Sequence, residues 1–308
     1  MKIRLGYACI SKTIDVTSSS PYTYTEYKNN KDLTKWEKIV ISNLEALEQI
    51  INYNINNNIH FFRISSKLIP LATIKEINLD YITPFKKYYK KIAKKIKDNN
   101  LRVDFHLDQF CVLNSTKKEV VDNTISSLEY HYKLLDILDI KNKLLLLHIG
   151  SNTFGKENSI KRFINNFNDL PDYLKKCIAI ENDDKVFTVA DCLNISKKIN
   201  VPVVIDIHHN NCNPSFFNID DIFKTWKKEN PKIHFSTPKN KTRKEFRSHH
   251  DYINSDDFIL FLEKIKNKNI DIDIMIEAKA KDEAVFKLIR EIKYKTNYKF
   301  IDETTINL

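Results

Sequence analysis

The sequence predicts an α/β protein whose parallel strands close into one (β/α)8 barrel of the TIM type, with a metal cluster at the C-terminal face of the strands. Three observations carry this. Five short apolar runs each end in a metal-type ligand: LRVDFH at His106, KLLLLH at His148, CIAIE at Glu181, VPVVID at Asp206 and IDIMIE at Glu277; KIHF, with His234 inside it, makes a sixth. Amphipathic helix patterns separate the runs, and strands alternating with helices make βαβ units and a parallel sheet. His106 and Glu277 lie five strand steps apart, about 34 residues per step. A barrel of about 250 residues spends roughly 31 per unit.

Taken in order, strands are expected at 3–9, 59–65, 101–106, 143–149, 177–182, 201–207, 232–236 and 271–278. Apolar runs of this length, bounded by polar residues, read as strands buried on both faces. One helix is expected to start near Thr116, with Glu119 three residues on completing a capping box. It continues through Val121, Ile125, Leu128, Tyr132 and Leu135, an apolar stripe at helical spacing. The run FKKYYKKIAKKIKD at 85–98 alternates lysines with an apolar face and reads as a solvated helix rather than a nucleic-acid patch. The polar segment 10–34, which contains SSSPYTYTEYKNN, is expected as a long loop over the barrel mouth. No linker or low-complexity tract divides the chain, so residues 1–308 are expected to form a single catalytic domain.

The chain has 308 residues, 42% of them hydrophobic, enough for a sizeable core. No run approaches the roughly 18 apolar residues of a membrane helix, and MKIRLGYACI lacks signal-peptide architecture. The five cysteines form no CxxC pair, so they are expected reduced and zinc fingers are not expected. An intracellular site follows: cytoplasm, or nucleus or viral replication site. The net charge of +10 favours a polyanionic partner. A Lys-, Asn- and Ile-rich composition explains the same surplus equally well.

The terminal ligands contain no thiolate. Imidazole mixed with carboxylate suits zinc, manganese or iron, and carboxylate-rich sets lean to manganese. Six ligands exceed what one tetrahedral ion takes, so two or three divalent ions are expected, with a carboxylate such as Glu181 bridging. Mn2+ leads, with Zn2+ or Mg2+ as alternatives. His209 follows Asp206 by three and reaches the same cavity if the strand ends in a turn; of His249 and His250, one is expected to ligate. His60 and His131 read as ordinary structural imidazoles. Clustered ions in a cleft serve phosphate-ester hydrolysis above all, and a basic chain with such a site points to a nuclease. Lys232, two residues before His234, is expected to point into the mouth, and Lys279, two after Glu277, to meet a phosphate oxygen.

Nine tracts resemble one family, the UV damage endonucleases, relatives of the endonuclease IV-type apurinic-site nucleases. They are IRLGYAC at 3–9, FRISSKLIPLAT at 62–73, HLDQFCVLNS at 106–115, LHIGS at 147–151, IENDDK at 180–185, DIHHNNCNP at 206–214, KIHFST at 232–237, FRSHHDYI at 246–253 and MIEAKAKD at 275–282. The resemblance implies a (β/α)8 barrel with a manganese-type cluster that nicks double-stranded DNA immediately 5′ of UV photoproducts, leaving a 3′-hydroxyl and a 5′-phosphate. By motif position it implies the ligands His106, His148, Glu181, Asp206, His209, His234, His249 and Glu277, with Glu181, Lys232 and Glu277 in catalytic roles. Lys232 matches a lysine that the family can carboxylate. The damage-probing residues map to Tyr7, Gln109 and Phe110, with Lys279 also on the DNA. A monomer is expected. Three positions depart from the family pattern: Phe110 where Tyr is usual, Ile74 where His is common, and HIGS at 148–151 for HxGG. The first keeps stacking and loses a hydroxyl.

Three other readings stand beside this one. An apurinic-site nuclease would use the same barrel. A metal-dependent sugar isomerase or epimerase also places metals at strand ends, but gains nothing from the +10 charge. A non-catalytic DNA-binding remnant would not keep an intact set of costly buried charges.

Overall fold

The computed structural model describes residues 1–30, 33–74, 76–227, 229–242 and 244–308. All eight expected strands form: β1 Lys2–Ala8, β2 Phe61–Arg63, β3 Arg102–His106, β4 Leu145–His148, β5 Ile178–Glu181, β6 Val203–Asp206, β7 Lys232–Phe235 and β8 Ile272–Ile276. They run in the order β2-β3-β4-β5-β6-β7-β8-β1, and β1 also pairs β2, so the sheet closes on itself. Every pairing around the ring is parallel. Most strands are a residue or two shorter at each end than their apolar runs, because the run continues past the last ladder bond. Two short strands not anticipated from the sequence, β9 Lys299–Phe300 and β10 Thr305–Asn307, form an antiparallel hairpin against the start of β1.

The helices are α1 Tyr24–Asn30, α2 Thr34–Asn56, α3 Lys86–Asp98, α4 Lys118–Ile137, α5 Lys156–Asn168, α6 Asp172–Lys175, α7 Val189–Ile199, α8 Ile207–Cys212, α9 Ile219–Thr225, α10 Ser255–Ile265 and α11 Lys281–Lys295. Two expectations need correction. The segment 10–34 is not all loop, since α1 occupies part of it; residues 31 and 32 lie outside the described residues. Its earlier part is anchored by Asp282, which accepts bonds from the Lys12 amide at 2.6 Å and the Ser11 hydroxyl at 2.8 Å. The capping box at Thr116 does not form either: α4 starts two residues later, and its N-cap, Lys117, offers no side-chain bond. A capping box does form at α7, between Thr188 and Asp191. Among the described residues no helix is long and apolar enough to cross a membrane. All five cysteines are free.

Alternation along each strand sorts the residues into two sets. The outward set packs on the helices and makes the main core, including Ile3, Leu5, Phe62, Val103, Phe105, Leu145 and Leu147. The inward set stacks in layers along the barrel axis. At the floor, Asp273 holds Arg4 and Arg102, both at 2.5 Å. Above it lie Leu144, Leu146, Ala179, Val204 and Trp226 on one side and Phe61, Met275 and Ala8 on the other. Also in this middle layer, fully buried, Lys232 donates to Asp104 at 2.8 Å.

This alternation overturns two expectations. Tyr7 has the parity of Leu5, so it turns outward and is fully buried beneath α2, where its hydroxyl donates to Asn54 at 2.7 Å and its ring meets Phe62 edge-on at 5.1 Å. It is not available as a DNA probe. Lys232 has the inward parity expected of it but lies below the mouth, not in it. For Tyr7→Phe we predict a loss of about 1–3 kcal/mol from the orphaned Asn54 oxygen, read as a Tm lower by a few degrees, with metal binding at the mouth unchanged. Unchanged stability would contradict this placement.

Candidate metal centre

The top inward layer carries the ligands, and register brings them together. His148 is the register partner of Glu181, and Asp206 of His234. Glu277 follows β8, its amide donating to the Phe235 carbonyl at 2.9 Å. His209 arrives because β6 runs straight into α8: Asp206 caps that helix by accepting the His209 amide at 2.7 Å. A spacing of three then puts both side chains on one side.

Three groups of potential ligands result, each with its donor atoms within 4.8 Å of one another: His106, His148 and Glu181; Glu181, Asp206 and His209; Asp206, His234 and Glu277. Successive groups share Glu181 and then Asp206, which is the arrangement that bridging carboxylates require. Seven of the eight expected ligands are therefore brought together. His249 is not. It sits on the loop after β7, where an isolated antiparallel bridge pairs it with Pro238, with its ring 6.4 Å from that of His209 and 5.5 Å from that of His208.

Glu181 is the hub. Its Oε2 lies 2.9 Å from His106 Nε2 and its Oε1 2.8 Å from His234 Nδ1, with His148 at 4.0 Å and His209 at 3.8 Å. Burial would raise its carboxyl, but His234, His148 and the His106 contact outweigh burial and hold it well below the usual carboxylate range. Burial lowers the imidazoles of His148 and of His234, the latter to about 4, which favours the neutral form of both; His234 Nε2 accepts from Arg63, so its Nδ1–H donates to Glu181 Oε1. At His209 burial also pulls down, yet Asp206, Glu181 and Glu277 prevail and raise it to about 9.

The residues fit divalent ions on several counts. His106 Nδ1 donates to the Leu107 carbonyl at 2.7 Å, so in the neutral ring Nε2 is a bare acceptor facing an acceptor oxygen of Glu181. Two acceptors in contact call for a cation. Asp206 Oδ2 and His148 Nδ1 are buried without partners. His209 Nδ1 donates to the Asn182 carbonyl at 3.0 Å, the backing typical of a metal-ligating imidazole.

Sequence reasoning missed three neighbours. Buried Asn182 exchanges bonds with the Asp206 backbone at 2.9 and 3.1 Å, and its place beside Glu181 in IENDDK was the only signal. Asp104 pairs Lys232 beneath the site. Arg63, at the tip of β2, donates to His234 Nε2 at 2.8 Å and pairs Glu277 at 2.7 Å. It ends its strand as the ligands do, but as a cation. Gln109 and Phe110 lie exposed on the β3–α4 loop, where Phe110 rims a cavity of about 700 Å³ that lies between the loop after β2 and α4 and is lined by none of the candidate ligands, and Lys279 is exposed after β8. His60 pairs Asp302 at 2.8 Å and His131 is buried in α4, bonded to the Ser127 carbonyl.

Because His209 holds its proton up to about pH 9, a cation binding there must displace it. Affinity for Mn2+ should therefore rise with pH towards 9 and level off above it, with proton release on binding at pH 7. Calorimetry in buffers of different ionisation enthalpy measures this; binding without proton release would count against His209 as a ligand.

The fold and site can be set against known proteins. One family profile, described as UV-endonuclease UvdE, matches residues 3–307. The UV DNA damage endonuclease of Bacillus cereus strain B4264 is 38% identical over 303 residues, covering 95% of each chain. That of Bacillus anthracis strain A0248 is 37% identical over 317 residues, covering 99% of each. The crystal structure of SacUVDE superposes with a TM-score of 0.85 at 33% identity, covering 95% of this chain and 98% of that one. Endonuclease IV from Thermus thermophilus, with a TM-score of 0.57 at 12% identity over 94% of this chain and 98% of that one, shares the fold. A match that spans the barrel from its first strand to its last leaves no element of it aside, and the chain belongs to the UV-endonuclease UvdE family.

Proposed function

We propose that this chain is a metal-dependent DNA repair endonuclease that cuts double-stranded DNA immediately 5′ of UV photoproducts, both cyclobutane pyrimidine dimers and 6-4 photoproducts, leaving a 3′-hydroxyl and a 5′-phosphate. The observation that carries the proposal is the run of three overlapping ligand groups hinged on Glu181 and Asp206. Two or three ions fit it, Mn2+ first, since carboxylate and imidazole without thiolate favour that class. When bound, divalent ions supply Lewis acidity to the phosphodiester and a nucleophilic water near neutral pH.

The chain's own residues do the rest. His106, His148, Glu181, Asp206, His209, His234 and Glu277 hold the ions, and Asn182 and Arg63 orient them. Burial lowers the Lys232 amine to about 8, against the pull of Asp104, so part of it is neutral near physiological pH. Carboxylation of that lysine, as the resemblance suggests, needs the neutral amine. Around the mouth, Lys12, Lys67, Lys117, Lys185, Lys241 and Lys279 are exposed on the loops that follow strands, none paired among the described residues. Such a rim suits a phosphate backbone. Phe110 and Gln109 stand above it as the lesion probe, where a flipped dinucleotide costs least to extrude. The reading takes residues 1–308 as one catalytic unit acting as an intracellular monomer.

With Mn2+, the purified protein should nick a duplex bearing one cyclobutane dimer on the dimer's 5′ side, and Glu181→Gln should abolish nicking while the duplex still binds. Cutting only at apurinic sites would favour the endonuclease IV-type alternative, and isomerisation of a free sugar the epimerase one. Duplex affinity should fall roughly a thousandfold between 50 and 200 mM salt if about six phosphates are engaged, and Lys67→Ala should reduce the slope by about one. A flat salt dependence would remove the proposed DNA groove.

A further inference from the structure

Phe154 has no structural reason to be where it is. It lies in the loop between β4 and α5 with its side chain 76% exposed, close to the 77% of Phe110. Its backbone is left-handed, at φ 60°. That conformation is unfavourable for a bulky residue, and observed strain of this kind points to function. Among the described residues, five of the ten other left-handed non-glycine positions hold asparagine, Asn58, Asn78, Asn100, Asn200 and Asn269, and none of the ten holds another aromatic residue. Here an aromatic ring is held out to solvent and buries nothing in return.

The loop is rigid, and it is fastened to the loop that carries Phe110. Asn114, fully buried, donates to the Ser151 carbonyl at 2.7 Å and accepts from the Ser151 amide at 3.0 Å. Arg162 ties both sides, donating to the Asn114 carbonyl at 2.9 Å and to the Thr153 carbonyl at 2.5 Å. Gly150, at φ 117°, leaves the room that Asn114 fills, since a Cβ there would collide with Asn114 Oδ1. The Phe154 carbonyl accepts from Asn158 at 2.9 Å, which fixes the turn. Phe110 and Phe154 thus stand on two loops tied to one another, which follow the strands that end in His106 and His148.

We propose that Phe154 is a second stacking residue that sets specificity for the broken base stack at a lesion and works with Phe110 from these tied loops. The inference rests on the reading that the chain binds damaged duplex DNA. An uncharged ring has nothing to gain from the phosphate backbone. It needs an exposed base face, which intact B-form DNA does not offer and an unstacked lesion does. Its contribution therefore falls on discrimination and not on general affinity.

The test is Phe154→Asn, a residue that suits the left-handed backbone, with Phe154→Trp beside it. Base–aromatic stacking predicts roughly 5–150-fold weaker binding to a duplex with one photoproduct. Affinity for undamaged duplex and the salt slope should stay unchanged, and the Tm of the free protein should be equal or higher. Phe154→Trp should keep the affinity and show fluorescence quenching on the damaged duplex only; Trp36 and Trp226, both buried, stay silent. If wild type prefers photoproduct duplex and Phe154→Asn prefers it equally, the inference alone fails. A lower Tm for Phe154→Asn would make Phe154 a packing residue and overturn it too. If wild type shows no preference at all, the repair reading and this inference fail together.

Discussion

Glu181 is a carboxylate sealed inside a barrel, and the barrel holds it charged only because imidazoles close on it from four directions. His106 comes from β3, His148 from β4, His209 from the helix after β6 and His234 from β7. A buried carboxylate left alone would cost more than a fold of this size can spare. With the His106 Nε2 acceptor against its Oε2 and His234 Nδ1 against its Oε1, it becomes the shared edge of two ligand groups. The pairing of His148 with Glu181 across one strand boundary and of Asp206 with His234 across another sets the geometry. A slip of one residue in either register would turn a ligand outward into the helical shell.

Beneath this layer the barrel interior is also charged. Lys232 with Asp104, and Arg4 and Arg102 with Asp273, give an axis of alternating sign in place of the branched aliphatic filling usual for such barrels. Apolar residues would pack there as well or better. What the buried charges supply is a fixed field at the site: Arg63 sets positive charge beside Glu277 and His234, and Lys232 sets it beside Asp104 beneath them. The cost in stability is met by the outer core, where strands and helices bury aliphatic and aromatic side chains almost without interruption.

The loops do a separate job. They carry the exposed lysines and the two projecting phenylalanines, while the strand tips carry the ligands. This division lets the contacts to a large substrate vary without disturbing the register-fixed cluster. It also explains where sequence reading succeeded. Eight strands were located because each is an apolar run bounded by polar residues, and seven candidate ligands were brought together because each sits at or just past a strand end, where parity and position are readable. Tyr7 failed because a motif position says nothing about which face of β1 it occupies. Lys232 failed because parity gives the face but not the depth. His249 stays outside the grouped ligands, on a loop where neither face nor depth can be read from the sequence.

The amino-acid sequence alone determined the alternation of strand and helix, the inward set of residues and the chemistry gathered at the strand tips, since these follow from local periodicity and residue type. Only the closed tertiary structure decided which candidate ligands come within reach of one another, that Asn182 and Arg63 brace them, and that the loops of Phe110 and Phe154 are tied through Asn114 and Arg162. Those are contacts between segments up to about 170 positions apart. Such contacts join residues that only the folded barrel brings side by side, which no local pattern in the chain encodes.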